Sequence, residues 1–354
     1  MKPASAHFFL GANTPQGFYS LYDQLMTPDN AVYVLKGGPG CGKSSFMRHV
    51  ADALQEPVEY IHCSGDPDSL DAVHFPRLHT VIVDGTAPHV IEPRYPGVLD
   101  TYIDLGRSYQ TELLAAHKDG ICALSDQCSR QYQRAYRILS AAQKMTALLP
   151  PDAISPLAAA KMEKRIRTLA ARELKKTVSG GPGTLTRRFL GGLTCQGILC
   201  RFDTVDALCS RVYACVDPYG LAHAAFTVLQ NAALEAGYSV IACPAPMEPD
   251  RIEHILIPAL SLAFITTKDT LPYEGEPVRN LRFDNLLDPD WLKRNRARLR
   301  FHKKMTRILT EDATAAFLEA KQTHDALEQL YNPCVSFETV YQAADDLIVR
   351  LKQR

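Results

Sequence analysis

The chain has 354 residues with 39 basic and 39 acidic side chains, and this neutrality speaks against a molecule built wholly for nucleic acid or an anionic membrane. Apolar residues make up 46% and charged residues 22%, a globular balance that excludes a disordered chain and at this length suggests two domains. Ten cysteines without one Cys-x-x-Cys pair argue for reduced, buried thiols rather than a disulfide framework or a zinc module, and Cys195, Cys200, Cys209 and Cys215 are read the same way.

In chain order, the first feature is a short apolar run over 31–35, which suits a buried parallel strand. Next comes Gly37-Gly38-Pro39-Gly40-Cys41-Gly42-Lys43-Ser44-Ser45, which satisfies G-x-x-x-x-G-K-[ST], the P-loop pattern, at every fixed position. A helix is expected from 43 to 54, so the loop joins a strand to a helix N-terminus. Glycines there allow a tight turn that aims backbone N–H groups at phosphate oxygens, and the helix dipole adds to the same point. Lys43 is the cation expected to reach the β- and γ-phosphates, and the Ser44 hydroxyl is a magnesium ligand of the type this pattern supplies.

Strands are expected over 58–63 and 80–83, and the second ends in Asp84. A strand-end carboxylate beside a P-loop is the usual partner of the metal and its waters, so Asp84 joins Lys43 as the expected catalytic pair and Ser44 as the metal pair. Gly85 stands where a hydrolytic glutamate commonly follows, which leaves His89 and Glu92 as candidates to orient a water. Arg77, Arg94 and Arg107 could offset phosphate charge. Asp66, Asp68 and Asp71 read as a helix start. Between 105 and 177 the composition turns helical, with Pro150, Pro151 and Pro156 marking a break.

The second half repeats the first. A shift of 180 residues lays Phe9-Leu10-Gly11 on Phe189-Leu190-Gly191, Thr14, Gln16 and Gly17 on Thr194, Gln196 and Gly197, and Cys63 on Cys243 without a gap. Two residues of slip then align Pro67 with Pro249 and Pro76 with Pro258. The halves, 1–180 and 184–354, flank a small-residue linker over 179–183. In the same frame Gly37 meets Asp217, Lys43 meets His223, Ser44 meets Ala224 and Asp84 meets Thr266, so the second loop lacks its phosphate cation, metal hydroxyl and strand carboxylate together. The second half ends helically over 291–351, broken at Asn332-Pro333, and carries a dense basic run from Lys293 to Arg307; a second basic set includes Lys161, Lys164 and Arg167.

These segments resemble a little-characterised bacterial family of tandem P-loop proteins described only as ATP-binding proteins or ATPases. The likeness rests on the 37–45 loop, on Val81-Ile82-Val83-Asp84 with Thr86-Ala87-Pro88-His89, and on the repeated Phe-Leu-Gly segment. It implies a P-loop NTPase fold and ATP binding, while the strand-helix-strand pattern and the helical composition of each half argue for a duplicated α/β fold, each half a mainly parallel sheet with a helical extension; the eroded second loop departs from a symmetric two-site scheme. The expectation is an ATP- and magnesium-dependent ATPase. A phosphotransferase is the first alternative, since Asp84-Gly85 with Pro88 faintly resembles an adenylate-kinase stretch. A non-hydrolytic switch that recruits a protein partner is the second. Nucleic acid is the less favoured partner, and the basic runs are first read as solvated helix faces. The first ten residues lack a signal-peptide core, and no apolar run is long enough to span a bilayer, so a cytoplasmic protein is expected.

Overall fold

The computed structural model describes residues 5–87, 90–146, 149–176 and 181–353. The first half runs β1 (Ser5–Phe9), a hairpin of β2 (Gly11–Thr14) and β3 (Gly17–Ser20), β4 (Ala31–Lys36), α1 (Lys43–Leu54), β5 (Val58–His62), β6 (Leu70–Phe75), β7 (Thr80–Asp84) and β8 (Asp100–Asp104), then α2 (Thr111–Ala116), α3 (Lys118–Met145) and α4 (Pro156–Glu173). The second half runs β9 (Leu185–Arg187), β10 (Gly191–Thr194), β11 (Gly197–Cys200), α5 (Phe202–Leu208), β12 (Arg211–Val216), α6 (His223–Glu235), β13 (Val240–Ala245), β14 (Glu248–Ile257), β15 (Leu262–Thr267) and β16 (Arg279–Arg282), then α7 (Pro289–Tyr331) and α8 (Phe337–Lys352). Among the described residues no helix is long and apolar enough to cross a membrane.

The two six-stranded sheets share one topology. The first is ordered β1-β5-β6-β7-β4-β8, and the second, read from its β9 edge, is β9-β13-β14-β15-β12-β16. Each is mainly parallel, as expected, but mixed: three of its five pairings are parallel and one strand runs the other way. β6 runs antiparallel to both β5 and β7, and β14 does the same between β13 and β15. The cause is the length of the connection: a parallel crossover needs a dozen or more residues, and the turn from β5 to β6 is shorter. That turn also corrects the reading of Asp66, Asp68 and Asp71 as a helix start. The Asp66 carboxylate accepts from Ser69 Oγ at 2.9 Å within the turn, β6 begins at Leu70, and Asp71 is buried in that strand, accepting from the Tyr22 hydroxyl at 2.9 Å.

The duplication is visible in small features. Gly40 and Gly220 both take left-handed φ, at 67° and 71°. His79 and Ser261, each after a Pro-led 3-10 turn, do so at 47° and 50°. Strand register places the two-residue slip earlier than the sequence match does. β1 sets Ser5 beside Val58, and β9 sets Leu185 beside Val240, so the insertion falls at the end of α6, before Cys243. The identity of Cys63 and Cys243 is therefore not a structural equivalence.

Two compact units emerge. One comprises Met1–Ile138, Leu193–Gly197 and Glu311–Arg354; the other comprises Leu139–Gly192 and Ile198–Thr310. Their boundaries depart from 1–180 and 184–354 because helices, and the short 193–197 segment of the β10–β11 hairpin, pack with the other half. α8, from the end of the chain, packs on α1, where Val340, Ala344, Leu347 and Leu351 join Phe46, Met47 and Val50 in the first core. α4, from the first half, packs on α6, where Ile166, Leu169 and Ala170 meet Phe226 and Leu229. Both helices start alike, on a serine cap: Ser155 accepts from the Ala158 amide and Ser336 from the Thr339 amide, each at 3.4 Å. Of the expected linker, Ser179 and Gly180 lie outside the described residues.

Candidate functional site

The central strands of the first sheet position the 37–45 loop. β4 and β7 are almost wholly buried, rich in Val, Ile and Tyr, and run side by side in parallel with Leu35 opposite Asp84. The loop leaves β4 after Lys36 and enters α1 at Lys43. Gly40 and Gly42 turn it through φ of 67° and 85°, backbone that only glycine adopts without strain. No side chain caps the N-terminus of α1.

Lys43 folds back over the loop. Its Nζ donates to the carbonyls of Gly37 and Gly38, both at 2.9 Å, and lies 3.6 Å from Asp84 Oδ2. The other Asp84 oxygen accepts from the Thr86 amide at 2.8 Å and its hydroxyl at 2.6 Å, which holds the carboxylate in place. Ser44 Oγ accepts from the Leu70 amide at 3.1 Å, and its second lone pair remains available to a cation. Cys41 is buried in the loop, and burial raises its thiol above the usual range, so it stays protonated at neutral pH.

The remaining loop contacts come from parts of the chain that motif reading did not single out. The Gly38 amide donates to the Tyr109 hydroxyl, and the Tyr109 and Tyr331 rings lie 5.7 Å apart. The Gly40 amide donates to Glu328 Oε1 at 3.2 Å. Asn332 stands so close that a Cβ on Gly40 would lie 2.4 Å from its Oδ1. Glu328, Tyr331 and Asn332 thus bring the C-terminal end of α7 against the loop glycines. Their only sequence signal was the helix break at Asn332-Pro333.

The other sequence candidates are committed elsewhere or lie outside the site. His89 is outside the described residues. Glu92 pairs with Lys36 at 2.8 Å and accepts from the Tyr102 hydroxyl, contacts that lower its carboxyl. Arg94 donates to the Met26 carbonyl at 2.9 Å, Arg107 lies 3.5 Å from Asp104, and Arg77 is exposed in a 3-10 turn. Cys195, Cys200, Cys209 and Cys215 are free thiols, and burial pushes Cys209 up to about 11. Among the described residues only His324, Asp325 and Glu328 have the spacing to share a metal ion, and Asp325 is held by Lys321 at 2.5 Å. Lys293, Arg296, Arg300, Lys303, Lys304 and Arg307 share an exposed face of α7, with Lys303 paired to Asp269 at 3.0 Å.

The second loop is closed by its own residue. Asp217 is 2% exposed, and its two carboxylate oxygens accept from the amides of Leu221 at 2.8 Å and Ala222 at 2.7 Å. His223 Nδ1 accepts from the Ile252 amide at 3.0 Å, and burial followed by the nearby Arg251 lowers its pKa, so it is a neutral imidazole. Thr266, the counterpart of Asp84, donates to the Glu253 carbonyl at 2.7 Å. Compared with protein-family profiles, characterised proteins and solved structures, the chain gives no match.

Proposed function

We propose that the chain binds ATP with magnesium on the 37–45 loop of its first unit and hydrolyses it, and that the second unit keeps the fold without a nucleotide site. The observation that carries this reading is the joint placement of three groups. A glycine-turned loop opens onto an uncapped helix N-terminus, a lysine lies along that loop, and a strand-end carboxylate stands 3.6 Å from the lysine. Lys43 would exchange its two carbonyl contacts for the β- and γ-phosphates. Ser44 and Asp84 are oxygen donors of the hard kind magnesium takes, directly or through water, and a bound ion would bridge phosphate oxygens and offset their charge. The duplicated α/β architecture and the resemblance to tandem P-loop ATPases support the same reading.

Equilibrium binding of ATP with and without magnesium, on the parent chain and Lys43→Ala, tests the site. Saturable magnesium-dependent binding that the substitution weakens by about a hundredfold is expected, and equal affinity in the two proteins would refute it. A second reading is a switch that binds ATP and hydrolyses it too slowly to matter, and Gly85 favours it. A Cβ there would lie 2.4 Å from Val34 Cγ1, so a glutamate after Asp84 would force its neighbours to shift. Phosphate release measured alone and with small acceptors or nucleic acid separates ATPase, phosphotransferase and switch.

A further inference from the structure

We propose that Glu328 is a catalytic carboxylate of this site: it accepts from the Gly40 amide, and once a phosphate takes that amide it receives the proton of the attacking water. The proposal rests on reading the 37–45 loop as a nucleotide site. It starts from a deficit. Phosphoryl transfer to water calls for a group that orients the nucleophile and accepts its proton. The position after Asp84 supplies none, because it is Gly85, walled in by Val34, Lys36 and the Ile91 carbonyl. Glu92 is held by Lys36 and Tyr102.

Glu328 meets the requirement from another element. Its Oε1 is 3.2 Å from the Gly40 nitrogen, so one of the loop amides suited to an anion already faces an anionic oxygen. The carboxylate is a stand-in for a phosphate oxygen at that amide. It is held near the loop by what surrounds it on α7. Tyr331 and Asn332 pack against Gly38 and Gly40, and Lys321, two turns earlier, lies 3.5 Å from Asp66 in the turn before β6. A phosphate that takes the amide therefore displaces the carboxylate by a side-chain rotation and leaves it beside the phosphate chain. In the step itself the water oxygen forms a bond to the γ-phosphorus. The bond from that phosphorus to the β–γ bridging oxygen breaks, with its electron pair leaving on ADP. The water proton passes to Glu328 and then to solvent, and the products are ADP and inorganic phosphate.

The displaced charge gives this role a signature that a structural role lacks. Two anions must share the site, so removing the carboxylate charge helps binding while it harms turnover. Glu328→Gln keeps the shape and an accepting oxygen. In the full chain it is expected to bind ATP about three- to fivefold more tightly, as loss of a partly exposed like-charge contact implies. Its phosphate release is expected to slow by about a hundredfold or more, the range for loss of a general base. Glu328→Asp, with the carboxylate one methylene back, should recover part of the rate. Calorimetry with ATP and magnesium, single-turnover phosphate release and the thermal midpoint of each variant provide the readouts. Glu328→Gln affinity equal to or weaker than the parent's would overturn the proposal, as would an unchanged rate or a parent that binds ATP and never releases phosphate. A parent chain that binds no ATP is a distinct outcome, and it removes the nucleotide reading along with the role built on it.

Discussion

The two loops follow equivalent strands, β4 and β12, of sheets with the same order, and each has a carboxylate on its backbone amides, but the carboxylates differ in origin. In the second loop the carboxylate is Asp217, at the position of Gly37, buried and holding two amides of the same turn. In the first it is Glu328, on a helix 288 residues further along the chain, holding one amide by a single bond. An internal, buried plug is part of the fold and cannot leave without exposing two polar groups. A side chain from another element can rotate away. The difference is one of permanence: in the second loop the carboxylate belongs to the turn it holds, and in the first it comes from a distant element.

Acid should separate the two units most. β14 carries His254, buried at 2% exposure, at the position that Ala72 occupies in β6. Burial lowers its pKa to about 4, against 6.5 for a free imidazole. A depressed folded pKa means that the proton prefers the unfolded chain. The associated stability is fully present above pH 6.5 and is lost as pH falls toward 4. The loss is about 3 kcal/mol for a shift of this size, and it falls on the second unit. Trp291, the chain's single tryptophan, lies in that unit and reports on it alone. Its fluorescence should show denaturant midpoints that fall between pH 7 and 4, and His254→Ala should flatten that dependence. A slope of the same size in the variant would mean that another group carries it.

Lys43→Ala should weaken ATP binding by about a hundredfold, since a charge-assisted contact to a phosphate contributes about 1.5–3 kcal/mol. The comparison of the loops then predicts one ATP per chain. Two equivalent sites, or one that survives this substitution, would show that the second loop is open. Asp217→Ala should destabilise the second unit by about 1–2 kcal/mol through loss of the two capping bonds, measured by Trp291 fluorescence in urea. It should create no second ATP site, because His223 and Ala224 remain; adding His223→Lys and Ala224→Ser would sharpen that test. The smallest effect is expected for Asp84→Asn, which keeps the bonds from Thr86 and most of the nucleotide affinity while weakening the magnesium dependence. Coincident magnesium titrations of variant and parent would place the metal carboxylate elsewhere.

Where residues close in sequence set the geometry, sequence reading placed it well. α1 begins and ends where its glycine turn and composition predicted, β4 and β7 fall on their apolar runs, and the Pro150-Pro151 and Asn332-Pro333 breaks separate the long helices. β6 was missed because Asp66, Asp68 and Asp71 look like a helix start, while Tyr22 and the flanking strands make Asp71 a buried strand residue. β8 was missed because Asp100 and Asp104 at its ends hide a short edge strand. Lys43, Ser44 and Asp84 were legible because loop, helix and strand end are tied by spacing alone. Glu328 was not, since nothing in a regular helix marks the one carboxylate whose turn meets a distant glycine.

By itself, the sequence determined the duplication, the alternation of strands and helices, the glycine turn with its lysine, and the loss of those residues from the second copy. Each is written in local spacing or in identity between the halves. Tertiary structure decided what depends on partners far along the chain. It made both sheets mixed, because a short turn forces β6 and β14 antiparallel. It moved α8 onto the first core and α4 onto the second, since both helices present similar apolar stripes and only packing selects between two homologous cores. It also chose the carboxylate for each loop, because a backbone amide donates to any carboxylate that the fold delivers to within hydrogen-bonding distance.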